Sequence, residues 1–161
     1  MFTEDLLKHI VDESIKYAHN KNRMNFSLSV PMLKRFIGFL LFTGYSCLPQ
    51  EKLHWSPAVD VSTPLVHNAM TCSSYMAIKQ NIHLADNTTI DKTDKLAKVR
   101  LYIKILNKNF MKYGVFSTHR SIGEQMIPYF GKHSCKMFMQ GKPVRFGFKV
   151  WCLCSSNGYL Y

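Results

Sequence analysis

The sequence predicts an α+β protein, mainly helical over about its first two thirds and ending in the opening strands of a sheet. Three observations carry this expectation. Apolar residues recur at three-to-four spacing as far as Tyr113. From Ser121 the period becomes two: Phe146, Phe148, Val150, Cys152 and Cys154 fall on one side of an extended segment, and Lys149, Trp151 and Leu153 on the other. The charge divides as sharply. Residues 1–94 hold nine Lys/Arg and nine Asp/Glu, whereas residues 95–161 hold twelve Lys/Arg against one acid, Glu124, so the whole formal charge of +11 lies in the last 67 residues.

The elements follow in order. Thr3, followed by Glu4 and Asp5, is a hydroxyl cap with acids in the first turn. Leu6, Ile10, Val11, Ile15 and Ala18 then define an amphipathic helix to about Tyr17. A polar connector leads to Ser29 and Pro31, which open a second helix. Its Leu33, Phe36, Ile37, Leu40 and Leu41 make it apolar nearly all round and central to the core, with Gly44 as its end. Cys47 to Ser62 is irregular, with Pro49, Trp55 and Pro57 as packing elements. Thr63-Pro64 starts a short helix through Met70, and Thr71 caps another from Cys72 to about His83.

Asp94 is the expected cap of the longest helix, roughly Lys95 to Tyr113, stopped by Gly114. Leu96, Val99, Ile103, Leu106 and Phe110 form its seam. Arg100, Lys104, Lys108 and Lys112 recur every fourth residue on another face, as either a phosphate-tracking stripe or a solvated surface. A strand follows over Ile122–Phe130, with Pro128 implying an edge or bulge. Gly131, Gly141, Pro143 and Gly147 mark bends before the second strand. Asn157-Gly158 is a hairpin signal, after which Tyr159 to Tyr161 begin a third strand.

Length and composition allow one core of normal size, or one domain with part of another. The acidic, amphipathic start is not a leader peptide, and FIGFLLF is far short of the ~20 apolar residues of a bilayer span. These features read as a soluble, intracellular chain. Cys47, Cys72, Cys135, Cys152 and Cys154 form no regular disulfide or zinc framework, so buried thiols are expected. The basic stretch 95–161 points to a polyanion, nucleic acid before anionic membrane, unless acids elsewhere in a longer chain neutralise it. Metal-assisted phosphoryl transfer needs several converging carboxylates, and this region offers only Glu124. His119 and His133 lie near Cys135, without a third member or an oxyanion hole.

Ser121-Ile122-Gly123-Glu124-Gln125-Met126-Ile127-Pro128 resembles the S-[IV]-D-E-Q-M-I-P box of piggyBac-type transposases. Gly131-Lys132-His133-Ser134, Gly141-Lys142-Pro143 and Phe146-Gly147-Phe148-Lys149-Val150-Trp151 follow as they do there. Phe2 to Leu7, Leu33 to Gly38, His83-Leu84-Ala85-Asp86-Asn87 and Asp94 to Arg100 are similar to the family in the same order, so the likeness covers nearly the whole chain.

The resemblance implies a helical dimerisation and DNA-binding domain over residues 1–115. It implies the first strands of an incomplete RNase H-like sheet over residues 116–161. Such transposases hold two magnesium ions on three aspartates. The first belongs to the box, where Gly123 stands here, and the other two would lie beyond Tyr161. Ser155 occupies a position where relatives often carry Asp. The cysteine-rich zinc domain of many relatives and part of their N-terminal region are not in this sequence. The resulting expectation is a truncated, catalytically inactive, nuclear protein without a cofactor or a complete magnesium site, not associated with membranes. Retained roles would be binding duplex DNA or dimerising, with itself or with a related transposase. Arg100, Lys104, Lys108, Lys132, Lys136, Lys142, Arg145 and Lys149 are the candidate phosphate contacts. The alternative is a decayed transposon fragment with no independent function.

Overall fold

The computed structural model describes residues 2–91 and 93–161. The chain forms two compact units, which part between Ile90 and Asp91. The division expected from the resemblance lies at 115/116; by contact, the long helix groups with the strands.

The first unit is helical: α1 (Glu4–Asn20), α2 (Val30–Phe42), a 3-10 turn (Glu51–Trp55), α3 (Pro64–Ala69) and α4 (Cys72–Asn81). Three starts rest on side-chain caps: the Thr3, Ser29 and Thr71 hydroxyls accept from the N–H groups of Leu6, Met32 and Ser74. Each supplies a partner to a donor that the first helical turn leaves open. Leu7, Val11, Ser14 and Ala18 line one seam of α1, and Leu33, Phe36 and Phe39 are the buried positions of α2.

The core of this unit is aromatic as well as aliphatic. Phe39 packs on Tyr75 and Trp55, with ring centroids 4.6 and 4.9 Å apart, and His54 meets Phe39 edge-on. The Trp55 indole N–H donates to the Met70 carbonyl at 2.7 Å, which satisfies its one polar group inside the cluster. Leu40 and Leu41, expected in the core, are instead exposed, and Phe39 takes the buried place. Helix α2 therefore buries one stripe, and Leu40 and Leu41 remain uncovered.

The segment His83-Leu84-Ala85-Asp86-Asn87 is docked on α1. The His83 N–H donates to Ser14 Oγ at 3.0 Å, while that hydroxyl donates to the Ile10 carbonyl at 2.6 Å. The His83 ring stacks on Tyr17 at 3.8 Å, and His9 bonds the Leu84 carbonyl through Nε2. Helix α4 ends at Asn81, two residues before the expected exit, because the chain turns there to make these contacts.

The second unit contains α5 (Ala97–Tyr113), β1 (Arg120–Pro128), β2 (Met137–Phe138) and β3 (Phe146–Ser155). Helix α5 starts two residues later than expected. Asp94 bonds the Leu96 N–H and holds Arg100 instead of capping at Lys95. No α5 side chain is fully buried, so its seam is only half covered.

The strands form one antiparallel sheet in the order β1-β3-β2. Pro128 ends β1 on the sheet edge, where a missing N–H costs nothing in the ladder. Gly147 lies opposite Pro128, and a Cβ there would run into the Ile127 carbonyl, so the glycine permits close approach of the two strands. After β3 the chain turns at Asn157-Gly158. The Gly158 N–H donates to the Ser155 carbonyl with Gly158 at φ +84°, and Cys154 and Leu160 form an isolated bridge in place of the expected third strand.

Candidate nucleic-acid interface

The register of β1 on β3 decides which side chains share a surface. Gly123 pairs with Cys152, and Glu124 with Trp151. Directly opposed residues of an antiparallel pair point to the same side, and neighbours along a strand to opposite sides. One face thus carries Gly123, Gln125, Val150 and Cys152; the other carries Glu124, Met126, Lys149 and Trp151. On the Glu124 face two lysines converge on one carboxylate. Lys149 Nζ lies 2.6 Å from Oε2 and Lys142 Nζ 3.4 Å from Oε1. Lys149 also lies over the Trp151 ring, 4.6 Å from its centroid. The hydrogen bonds from Lys149, then from Lys142, hold the Glu124 carboxyl below the usual carboxylate range.

The other expected phosphate contacts differ in how free they are. Arg100 donates through Nε and Nη2 to Asp94 at 2.9 and 2.7 Å, and this pairing lowers the Asp94 carboxyl. Lys104 and Lys108 are exposed on α5 and form no ion pair among the described residues. Lys132 and Arg145 are exposed and likewise unpaired among the described residues. Lys136 reaches the Gly131 carbonyl at 3.4 Å and sits over the Phe146 ring. Lys142 and Lys149 are brought together through Glu124; Arg100, Lys104 and Lys108 share a helix face.

Spacing did not indicate the cation–ring contacts themselves: Lys149 beside Trp151, Lys136 over Phe146, Arg120 over Phe116, and Lys112 over Tyr113. The signal for the first is present in Lys149-Val150-Trp151, because residues two apart on a strand share a face. The others arise at or near element ends, where spacing alone gives no orientation.

Other expected chemistry resolves into local structure. The His133 ring nitrogen Nδ1 accepts from the Cys135 N–H at 3.1 Å, a turn contact between the two candidate residues. The five thiols are free, but the expectation that they are buried fails. Cys47 is exposed and the other four are half-buried; Cys152 and Cys154 share a sheet face that is largely uncovered. Ser155 is buried, with its Oγ donating to Asn157 Oδ1 and accepting from the Tyr159 N–H at 3.1 Å. A hydroxyl at this position organises the hairpin.

The donor set does not fit the pair of magnesium ions implied by the resemblance. Gly123 has no donor, and its same-face neighbours Ser121, Gln125 and Cys152 bring no carboxylate. Glu124 faces the other side and is occupied by two lysines. No three His, Cys, Asp or Glu side chains converge among the described residues. Hard divalent cations bind through several oxygens at once.

The family model described as Transposase IS4 matches residues 1–161, and this chain belongs to that family. Within the family it is of the piggyBac type. It is 38% identical over 157 residues to human PiggyBac transposable element-derived protein 3, covering 98% of this chain and 26% of that protein. It is also 38% identical over 159 residues to human PiggyBac transposable element-derived protein 2, covering 99% of this chain and 27% of that one. The chain thus spans about a quarter of the length of these relatives. The cryo-EM structure of a piggyBac transposase synaptic complex with hairpin DNA matches 99% of this chain and 36% of its own, with a TM-score of 0.82 at 18% identity. That likeness concerns the fold. Among the described residues, no helix is long and apolar enough to cross a membrane.

Proposed function

We propose that this chain is a piggyBac transposase-derived, nucleic-acid-binding module that does not itself cleave DNA. The observation that carries the reading is the charge division: twelve Lys/Arg and one acid in residues 95–161. Lys104, Lys108, Lys132 and Arg145 are exposed and without ion pairs among the described residues, and so available to phosphate. A solved structure of the same fold is a transposase complex with hairpin DNA, which supports DNA as the polyanion. Non-catalysis follows from Gly123, which removes a metal-binding carboxylate where the box would supply one. A dimer, with itself or a related transposase, and a nuclear location belong to the same reading.

The test is binding of duplex DNA over a salt series. Neutralising phosphates releases counterions, so log K should fall with log salt by about 0.9 for each phosphate engaged. Engagement of the four unpaired cations alone gives a slope of roughly −4. A response flat in salt would overturn the reading.

A second reading, a decayed fragment without independent function, is favoured by the uncovered apolar side chains of the sheet. Ile122 is 72% and Trp151 66% exposed. It expects aggregation through these surfaces. A monodisperse protein that melts cooperatively would count against it.

A further inference from the structure

We propose that Glu124 is an internal competitor for nucleic-acid phosphate, holding Lys142 and Lys149 until a polyanion displaces it. This rests on the nucleic-acid reading above and concerns how its surface is controlled. Glu124 is the single acid of residues 95–161. The two ammonium groups come from separate segments, Lys142 from the connection before β3 and Lys149 from β3, and each meets a different oxygen of the one carboxylate. A phosphodiester offers the same chemistry: two non-bridging oxygens sharing one negative charge. The cluster that now holds a carboxylate can therefore hold a phosphate.

Three further features fit a competitor. The side chains remain reachable, with 26% of Glu124, 24% of Lys149 and 36% of Lys142 exposed. The Trp151 ring beside Lys149 keeps that ammonium on the same face whichever anion it binds. With two lysines donating to it, Glu124 stays ionised at neutral pH, so it repels an incoming phosphate as well as occupying its partners. Lys104, Lys108, Lys132 and Arg145 have no such competitor among the described residues. Residue 124 thus sets how many cations the surface presents. Its face is opposite that of Gly123, so this role is independent of the metal position.

The experiment compares the whole chain, Glu124→Gln, and Glu124→Gln combined with Lys142→Met and Lys149→Met, in duplex DNA binding over a salt series. Glu124→Gln should bind roughly fivefold tighter near 0.1 M salt, because no carboxylate has to be displaced before Lys142 and Lys149 meet phosphate. Adding the two lysine substitutions should abolish the gain. If Glu124→Gln binds as the parent does, or more weakly, the competitor role is overturned while the nucleic-acid reading stands. If none of the three binds with salt dependence, that reading falls as well. Should Glu124→Gln fail to fold, Lys149→Met against Lys104→Met decides. A smaller loss for Lys149→Met supports the proposal, because its charge is already taken up; an equal or larger loss overturns it.

Discussion

Ser14 is a fully buried hydroxyl in an otherwise apolar seam of α1, and two backbone groups depend on it. Its Oγ accepts from the His83 N–H and donates to the Ile10 carbonyl. In Ser14→Ala the His83 N–H loses that partner. Urea unfolding should show a loss of about 1–3 kcal/mol, the usual cost of an orphaned donor. Period analysis had no means of finding this residue, since a serine on an apolar face looks like an interruption. Gly123 and Glu124 show the opposite case. Strand alternation already implies that they face apart, but the lysines that occupy Glu124 come from 18 and 25 residues along the chain, beyond any local pattern.

At the scale of elements, helix starts were the most legible. Thr3, Ser29 and Thr71 cap as their residue types imply, because a cap bond spans three residues and needs nothing from elsewhere. Asp94 departs from this because Arg100, six residues on, competes for its carboxylate. The two-residue β2 was invisible because Met137-Phe138 carries no period of its own and exists through pairing with Phe146 and Gly147. Gly147 supplies the prediction for the sheet. In Gly147→Ala the new methyl meets the Ile127 carbonyl of the paired strand, so β1 and β3 must separate locally. A loss of about 1–3 kcal/mol is expected, with line broadening or loss of the β1 and β3 amide signals in NMR spectra.

For the molecule as a whole, the two units differ in what holds them together. Of the buried apolar residues described, all but Met126 belong to residues 2–90. Hydrophobic burial is the main stabilising term, so local stability should follow this division. Hydrogen–deuterium exchange should show the slowest amides in α1, α2 and α4, with β1 and β3 exchanging at least tenfold faster despite their regular ladder. Comparable protection in the strands would mean that sheet pairing alone stabilises the second unit. The family, the α+β class and the basic stretch 95–161 are legible in the sequence, because each is written in local residue order. The sequence by itself also determined the caps at Thr3, Ser29 and Thr71, the change of period near Ser121 and the glycine in the acidic box. Only the tertiary structure decided that Phe39 rather than Leu40 or Leu41 is covered, that Ser14 anchors His83, and that Glu124 takes up Lys142 and Lys149. Burial and charge pairing depend on which distant segments meet and in what register, and spacing along one segment does not carry that information.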